Sequence, residues 1–430
     1  MSLSSQFNSS DPYHKYYDIN LTNSYNPNLI GNTNVDLVFN EVRQNPIVMC
    51  PEEWFMSVVR FSIETPTLPV FIPQALLGQP DPNVLIYSFT LSVDDGATTY
   101  YGKAQWYYTP QDLSIPVASN PTTYQQNSEY YYVYSFSAVT LIMNTALRQA
   151  YQNLNANLVA DGKTPLADNL FPFFVYDTGA SKWTLNSPLY PSDPAPSPAT
   201  YDTYDLKSST TGRIVKVYMN TATQVILSSF PVYYIGNTTD NITNGTNYQF
   251  QIINNNNQNI ITKVYPTYPS LTPVAWNTPA VDLTYVFTEQ DYSTTTLMNP
   301  VQNIVFTTSL VPVESSLGNA PKIFNYYSGS ANNSSQAPNE SNVLTPIMTD
   351  LEVQATTGDG WKPSIQYIPT AEYRMMDLRG SYPVSAIEIS VFWKDSFGNL
   401  SRFQLAPSCT ASIKIMFRRK DYQTAKLAYQ

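Results

Sequence analysis

Along most of the chain, apolar residues return at every second position, the mark of strands that bury one face. Ile387, Ile389, Val391 and Trp393 share a face. So do Ala411, Ile413, Ile415 and Phe417, with Lys414 and Arg418 turned outward. Nearer the start, the run 55–63 sets Phe55, Val59, Phe61 and Ile63 on one apolar face, interrupted by Ser57. Shorter strand signals occupy 35–39, 214–219, 248–253, 260–265, 283–287 and 303–307. The runs 84–93 and 98–108 flank Asp94-Asp95-Gly96, and 171–175 and 182–185 flank Asp177-Thr178-Gly179, so both pairs read as hairpins. The run 68–72 lies among Pro66, Pro69 and Pro73 and reads as an edge or a corner.

A single segment changes period. Val139, Ile142, Met143, Ala146, Leu147, Ala150, Tyr151, Leu154 and Leu158 follow the i, i+3, i+4 spacing of a helix, with Asn144, Gln149 and Asn153 between them. Asp161-Gly162 ends the pattern. Such a stripe is expected to pack on a sheet. Residues 1–34 are polar and turn-rich and read as an arm that cannot fold alone but can dock on a partner. The stretch 186–212 carries Pro188, Pro191, Pro194, Pro196 and Pro198 and reads as an exposed loop. An Asn/Thr loop is expected at 237–247 and a mobile Ser/Asn-rich one at 328–342. There is no internal repeat of fixed period, and the patterning is that of an all-β, sheet-on-sheet fold.

Composition adds how the surface is built. Charged residues are 13% of the 430, about half the roughly 25% of an ordinary soluble domain. Neutral polar groups desolvate more cheaply than ion pairs, so such a surface suits packing against neighbours. The 34 tyrosines fit the same picture, since Tyr combines apolar area with one hydrogen-bonding tip. The net charge of −10 and the single dense basic cluster, Arg418-Arg419-Lys420, leave no clear nucleic-acid surface. That cluster reads as a solvated strand end. No basic n-region precedes an apolar one at the start, and no run of about 20 apolar residues occurs, so neither a secretory signal nor a membrane span is expected. The sequons at Asn237, Asn241 and Asn399 are then expected to stay unused.

Candidate chemistry is sparse. The one histidine, His14, lies in the polar arm, where a nucleophile–base pair has no packed site. Cys50 and Cys409 lack metal-ligand spacing, and whether they pair stays open. Glu52-Glu53 and Asp94-Asp95 are sequence neighbours on a strand start and a turn, not carboxyls facing across a cleft. No cofactor, metal or catalytic residue is expected. The residues singled out are charges within strand-like runs, which must pair or reach solvent. They are Arg60, Arg374, Asp377, Arg379 and Lys394, with Trp393 and the cluster Arg418, Arg419 and Lys420 as further structural or interface candidates. For Arg60 a structural ion pair is the first reading and a subunit contact the second.

Several segments carry a family likeness. Asn45-Pro46, the run 54–63 (WFMSVVRFSI) and 66–72 (PTLPVFI) open it. The runs 141–154 (LIMNTALRQAYQNL) and 172–185 (PFFVYDTGASKWTL) follow, with Val217-Tyr218-Met219-Asn220 leading to Phe230-Pro231. The runs 303–308, 373–378, 389–398 (ISVFWKDSFG) and 411–420 (ASIKIMFRRK) complete the order. In this order the chain resembles the penton or minor capsid proteins of virophages, polinton-like viruses and related double-stranded DNA viruses. The likeness covers about residues 36–420 and brings no catalytic residues with it. It implies a jelly-roll sandwich built from both ends of the chain with an inserted β-rich domain that holds the long helix. The expected division is an arm at 1–35, jelly roll at 36–110, insertion at 111–280, jelly roll again at 281–420 and a tail at 421–430. It also implies a homopentamer at an icosahedral capsid vertex that contacts major capsid protein, with internal capsid proteins reached by the arm and a host receptor by the outer loops. Two alternatives stay open: a trimeric major capsid protein with a double jelly roll, and a receptor- or glycan-binding attachment protein using Trp183 or Trp361.

Overall fold

The computed structural model describes residues 13–25, 34–76, 79–94, 98–113, 115–117, 129–166, 171–189, 206–208, 213–235, 250–253, 260–265, 281–313, 316–318, 345–353, 364–367, 375–395 and 400–421. Arg374, Trp361, Asp95, the three sequons, the loops at 237–247 and 328–342, most of the Pro-rich stretch and the tail beyond Asp421 lie outside them. The chain divides into two compact units. One comprises Met1–Leu68, Pro300–Gln354 and Trp361–Gln430, and the other Pro69–Asn299 with Ala355–Gly360. The segment 69–110, expected in the sandwich, belongs to the second unit, because its hairpin pairs with Arg213–Met219.

The first unit is an antiparallel jelly-roll sandwich. One sheet runs His14–Thr22, Thr410–Arg419, Trp54–Glu64, Ser364–Tyr367, with Met376–Asp377 also paired to Trp54–Glu64. The other runs Ser316–Gly318, Thr345–Glu352, Val301–Thr307, Ala386–Asp395, Leu400–Arg402, with Val38–Val42 also paired to Ala386–Asp395. Ile387, Ile389, Val391 and Trp393 are buried, as are Ala411, Ile413, Ile415 and Phe417. The two faces meet at Phe61, whose ring stands edge-on to Phe306 at 4.9 Å and to Phe39 at 6.4 Å. Each such side chain contributes roughly 1.5–3 kcal/mol by leaving water.

Two features of this unit differ from the sequence reading. In Trp54–Glu64 the inward residues are Trp54, Met56 and Val58, then Phe61 and Ile63, while Phe55 and Val59 are only half-buried. The cause is a bulge: Lys414 faces Arg60 and Ile415 faces Val58, so Val59 is an extra residue that shifts the phase. The second difference is the arm. His14–Thr22 is a nine-residue strand paired along its length with Thr410–Arg419, burying Tyr17 and Ile19.

The second unit has two antiparallel sheets and the long helix. One sheet runs Val232–Tyr234, Phe250–Ile252, Arg213–Met219, Val84–Asp94, Thr99–Tyr107, and the other Ile260–Tyr265, Val281–Glu289, Lys182–Leu189, Phe173–Asp177. The helix is Phe136–Ala160, capped by the Ser135 hydroxyl, which accepts from the Ala138 amide at 3.2 Å, and closed by Gly162 at φ +70. All nine residues of its expected stripe are buried. Its asparagines do something the periodicity does not reveal. Asn144 accepts from the Phe174 amide at 2.7 Å and donates to its carbonyl at 3.0 Å. Asn153 donates to the Lys103 carbonyl and Asn157 to that of Tyr101, both at 2.7 Å. Phe173–Asp177 and Thr99–Tyr107 are the outermost strands of the two sheets, so one helix satisfies edge groups of both. The fit is close at Gly102, where a β-carbon would overlap the backbone of Ala150 and Leu154.

Candidate assembly surface of the sandwich

The strands Trp54–Glu64 and Thr410–Arg419 run antiparallel, so the start of one and the finish of the other meet at one end of the sandwich. The Arg419 guanidinium lies 3.4 Å from Glu53 and 3.2 Å from Asp421, and the Lys420 ammonium 2.8 Å from Asp377 and 5.3 Å above the Phe55 ring. Lys15 donates to the Ile47 carbonyl at 3.0 Å and sits 5.2 Å over the Trp54 ring. Segment 42–50 runs past 384–386: Ile47 donates its amide to the Val384 carbonyl, Arg43 to that of Ser385, and Val48 bridges Val384. The same end holds Glu388. Burial pushes its carboxyl up, but bonds from the Ser390 hydroxyl and from the amide and hydroxyl of Ser309 outweigh this and hold it below its ordinary value.

The residues singled out from the sequence separate into three places. Asp377, Arg379, Arg418, Arg419 and Lys420 gather at this end; Arg379 is exposed, whereas Arg418, expected to turn outward to solvent, is buried, flanked in the sheet by His14 and Phe55. Arg60 lies on the sheet's outer face and reaches across the strand of Lys414 to grip Asp18 at 2.8 and 2.9 Å. Trp393 and Lys394 belong to the other sheet, Trp393 buried in the core and Lys394 half-buried. Sequence reasoning missed Lys15, Asp18 and Glu53 as partners. The signal was present in Tyr17, Ile19 and Leu21, which alternate with Asp18, Asn20 and Thr22.

The remaining candidates have structural surroundings. Trp183 is fully buried and donates its indole N–H to the Thr140 hydroxyl at 3.0 Å, so it is no sugar-stacking platform. Cys50 precedes Trp54–Glu64 and Cys409 precedes Thr410–Arg419, which places them at opposite ends of one ladder, beyond the reach of a disulfide. Glu64 and burial push the Cys409 thiol up to about 11, burial first. No cluster of three or more His, Cys, Asp or Glu able to hold a metal occurs among the described residues. No helix among them is long and apolar enough to cross a membrane.

Comparison with known proteins agrees with this architecture. The solved structure of the Sputnik virophage by cryo-EM contains a chain that superposes with a TM-score of 0.61 at 23% identity, covering 96% of this chain and 99% of its own. The mavirus penton protein gives 0.54 at 14% identity, covering 94% and 99%. Among curated relatives, the Sputnik virophage protein V18 is 35% identical over 157 residues, which is 35% of this chain and 90% of V18. Its structural protein V19 is 23% identical over 143 residues, 33% of this chain and 60% of V19. The family model described as Sputnik minor capsid protein V18/19 matches residues 15–419, from the first strand of the sandwich to the last. The chain therefore belongs to the Sputnik minor capsid protein V18/19 family, structural components of a virophage capsid.

Proposed function

We propose that the chain forms the homopentameric vertex capsomer of an icosahedral capsid and seats against the surrounding major capsid protein, working by contact and not by catalysis. The observation that carries this reading is the extent of the likeness to the mavirus penton protein, which takes in 94% of the chain and so includes both units. The sandwich supplies what a ring needs. Its sheets end in open strands, and edges of this kind are buried when heterologous contacts close by rotation. His14–Thr22 is the edge of its sheet and shows Tyr16 to solvent. A permanent subunit contact of roughly 2,000–5,000 Å² is within reach of a weakly charged, Tyr-rich surface.

Native mass measurement of the purified chain is the test. Particles of five copies are expected, together with co-assembly when the major capsid protein is added. A chain that stays monomeric at micromolar concentration and ignores the major capsid protein would overturn the reading, and a three-copy particle would favour the trimeric alternative.

A further inference from the structure

The sheet that holds Val84–Asp94 turns one face to the long helix. Gly102 meets the backbone of Ala150 and Leu154 there, and it pairs with Leu91, as Ala104 pairs with Phe89. Residues facing each other across a ladder share a side, and the side alternates along each strand. The opposite face therefore carries Ser88 beside Gln105, Thr90 between Lys103 and Tyr218, and Gln251 beyond Tyr218. A polar face of this kind is ordinarily wetted by bulk solvent. This one is closed: Ser88 and Thr90 are each 1% exposed and Gln251 6%.

Four polar atoms in this layer are buried without a protein hydrogen-bond partner: Ser88 Oγ, Thr90 Oγ1, Gln105 Oε1 and Gln251 Nε2. Groups around them are bonded. The Ser88 amide donates to Asn220 Oδ1 at 3.2 Å and to Thr223 Oγ1 at 3.0 Å, and the Ser92 hydroxyl donates to that of Tyr218 at 3.2 Å. An unbonded buried polar atom bears its full desolvation cost, and native interiors meet that cost with internal water making about three bonds. The four atoms suit such a guest. The two hydroxyls donate and accept, the Gln105 oxygen only accepts and the Gln251 nitrogen only donates. Lys103, on the same face, disfavours a cation, and the lone pairs of Gln105 Oε1 disfavour an anion. Ser88 and Gln105 are a facing pair. The β-carbons of such a pair stand about 5 Å apart, so one small molecule can serve both side chains.

We infer that this layer holds internal water as a fixed part of the second unit, with one molecule bridging the Ser88 hydroxyl to Gln105 Oε1. The experiment uses the full chain and reads the sign of a stability change. Ser88→Ala removes the hydroxyl with little change of shape. Where water bridges it, the unfolding equilibrium constant, followed by hydrogen exchange along 84–107, should rise about tenfold, a change of about 1.4 kcal/mol. An unbonded hydroxyl would instead be relieved, and the constant would stay level or fall. Gln105→Met should cost about as much, and the double variant no more than either single one, because each loses the same molecule. A crystal structure of the parent chain should show ordered solvent within hydrogen-bond reach of both side chains, and the double variant none. A Ser88→Ala chain at least as stable as the parent, additive losses in the double variant, or a crystal structure with the two side chains bonded directly to each other would overturn the inference.

Discussion

The two units of this chain are held by different physics. In the sandwich, sheet faces of aliphatic and aromatic residues meet, and the close ion pairs decorate the outside: Arg60 with Asp18, Arg402 with Asp36 at 2.7 Å, Lys420 with Asp377. In the second unit the specificity comes from neutral side chains bonded to backbone. Asn220 accepts from the amides of Ser88 at 3.2 Å and Thr223 at 3.0 Å and donates to the Ile86 carbonyl at 2.7 Å. Asn155 bonds both the amide and the carbonyl of Leu166, each at 2.9 Å. Tyr108, its ionisation pushed up by burial, donates to the Tyr130 carbonyl at 2.5 Å, and Tyr131 to that of Pro82 at 3.1 Å. There Lys182 and Glu289 stand 4.0 Å apart. Among the described residues, a low-charge composition thus conceals a division of labour: charges fasten strand edges in one unit, and asparagine and tyrosine take that part in the other.

The sharpest way to break the contrast is Gly102→Val. With no room for a β-carbon against Ala150 and Leu154, the helix must move off its sheet at a cost of about 3 kcal/mol. Hydrogen exchange should lose protection along 136–160 and keep it along 411–417; equal loss in both would show that the units are not separate in stability. Asn220→Ala comes next. It orphans buried backbone groups and should cost about 2 kcal/mol, with the same value in low salt and in about 1 M salt. Arg60→Ala is the counterpart in the sandwich. Its pair with Asp18 is exposed, so the loss should stay below about 1 kcal/mol and vanish in about 1 M salt. A salt-independent loss there would place Arg60 among the structural hydrogen bonds instead.

The smallest effect concerns Glu388. Its carboxyl is held below the ordinary value of 4.5, so it contributes stability above that value and the contribution fades as pH falls through the depressed one. Glu388→Gln should flatten the acid limb of the sandwich's unfolding curve slightly and leave the neutral plateau lower. A mutant curve parallel to the parent throughout would assign the Ser309 and Ser390 bonds no role in pH dependence.

Much of this was legible before any coordinates. The alternation at 387–393 and 411–417 and the helical stripe from Val139 to Leu158 turned into buried faces because each is long and its period unbroken. The strand 54–64 was only half readable. A bulge at Val59 inserts one residue, and a period of two changes phase there without any change in residue type. His14–Thr22 was misread as arm because the polar context outweighed three alternating apolar residues. Asn144 and Asn153 read only as polar positions between the stripe residues, and the position of two sheet edges makes them, with Asn157, backbone partners.

Sequence alone determined that this is a β-rich, sheet-on-sheet fold with a long amphipathic helix, poor in charge. Those conclusions depend on local period and composition, which are properties of neighbouring residues. Tertiary structure decided the pairing of the first strand with the last, the partners of Arg60, Arg419 and Lys420, and the membership of the hairpin 84–107 in the second unit. Each of these depends on contacts between residues far apart in the chain, and no local pattern records which distant backbone will lie alongside.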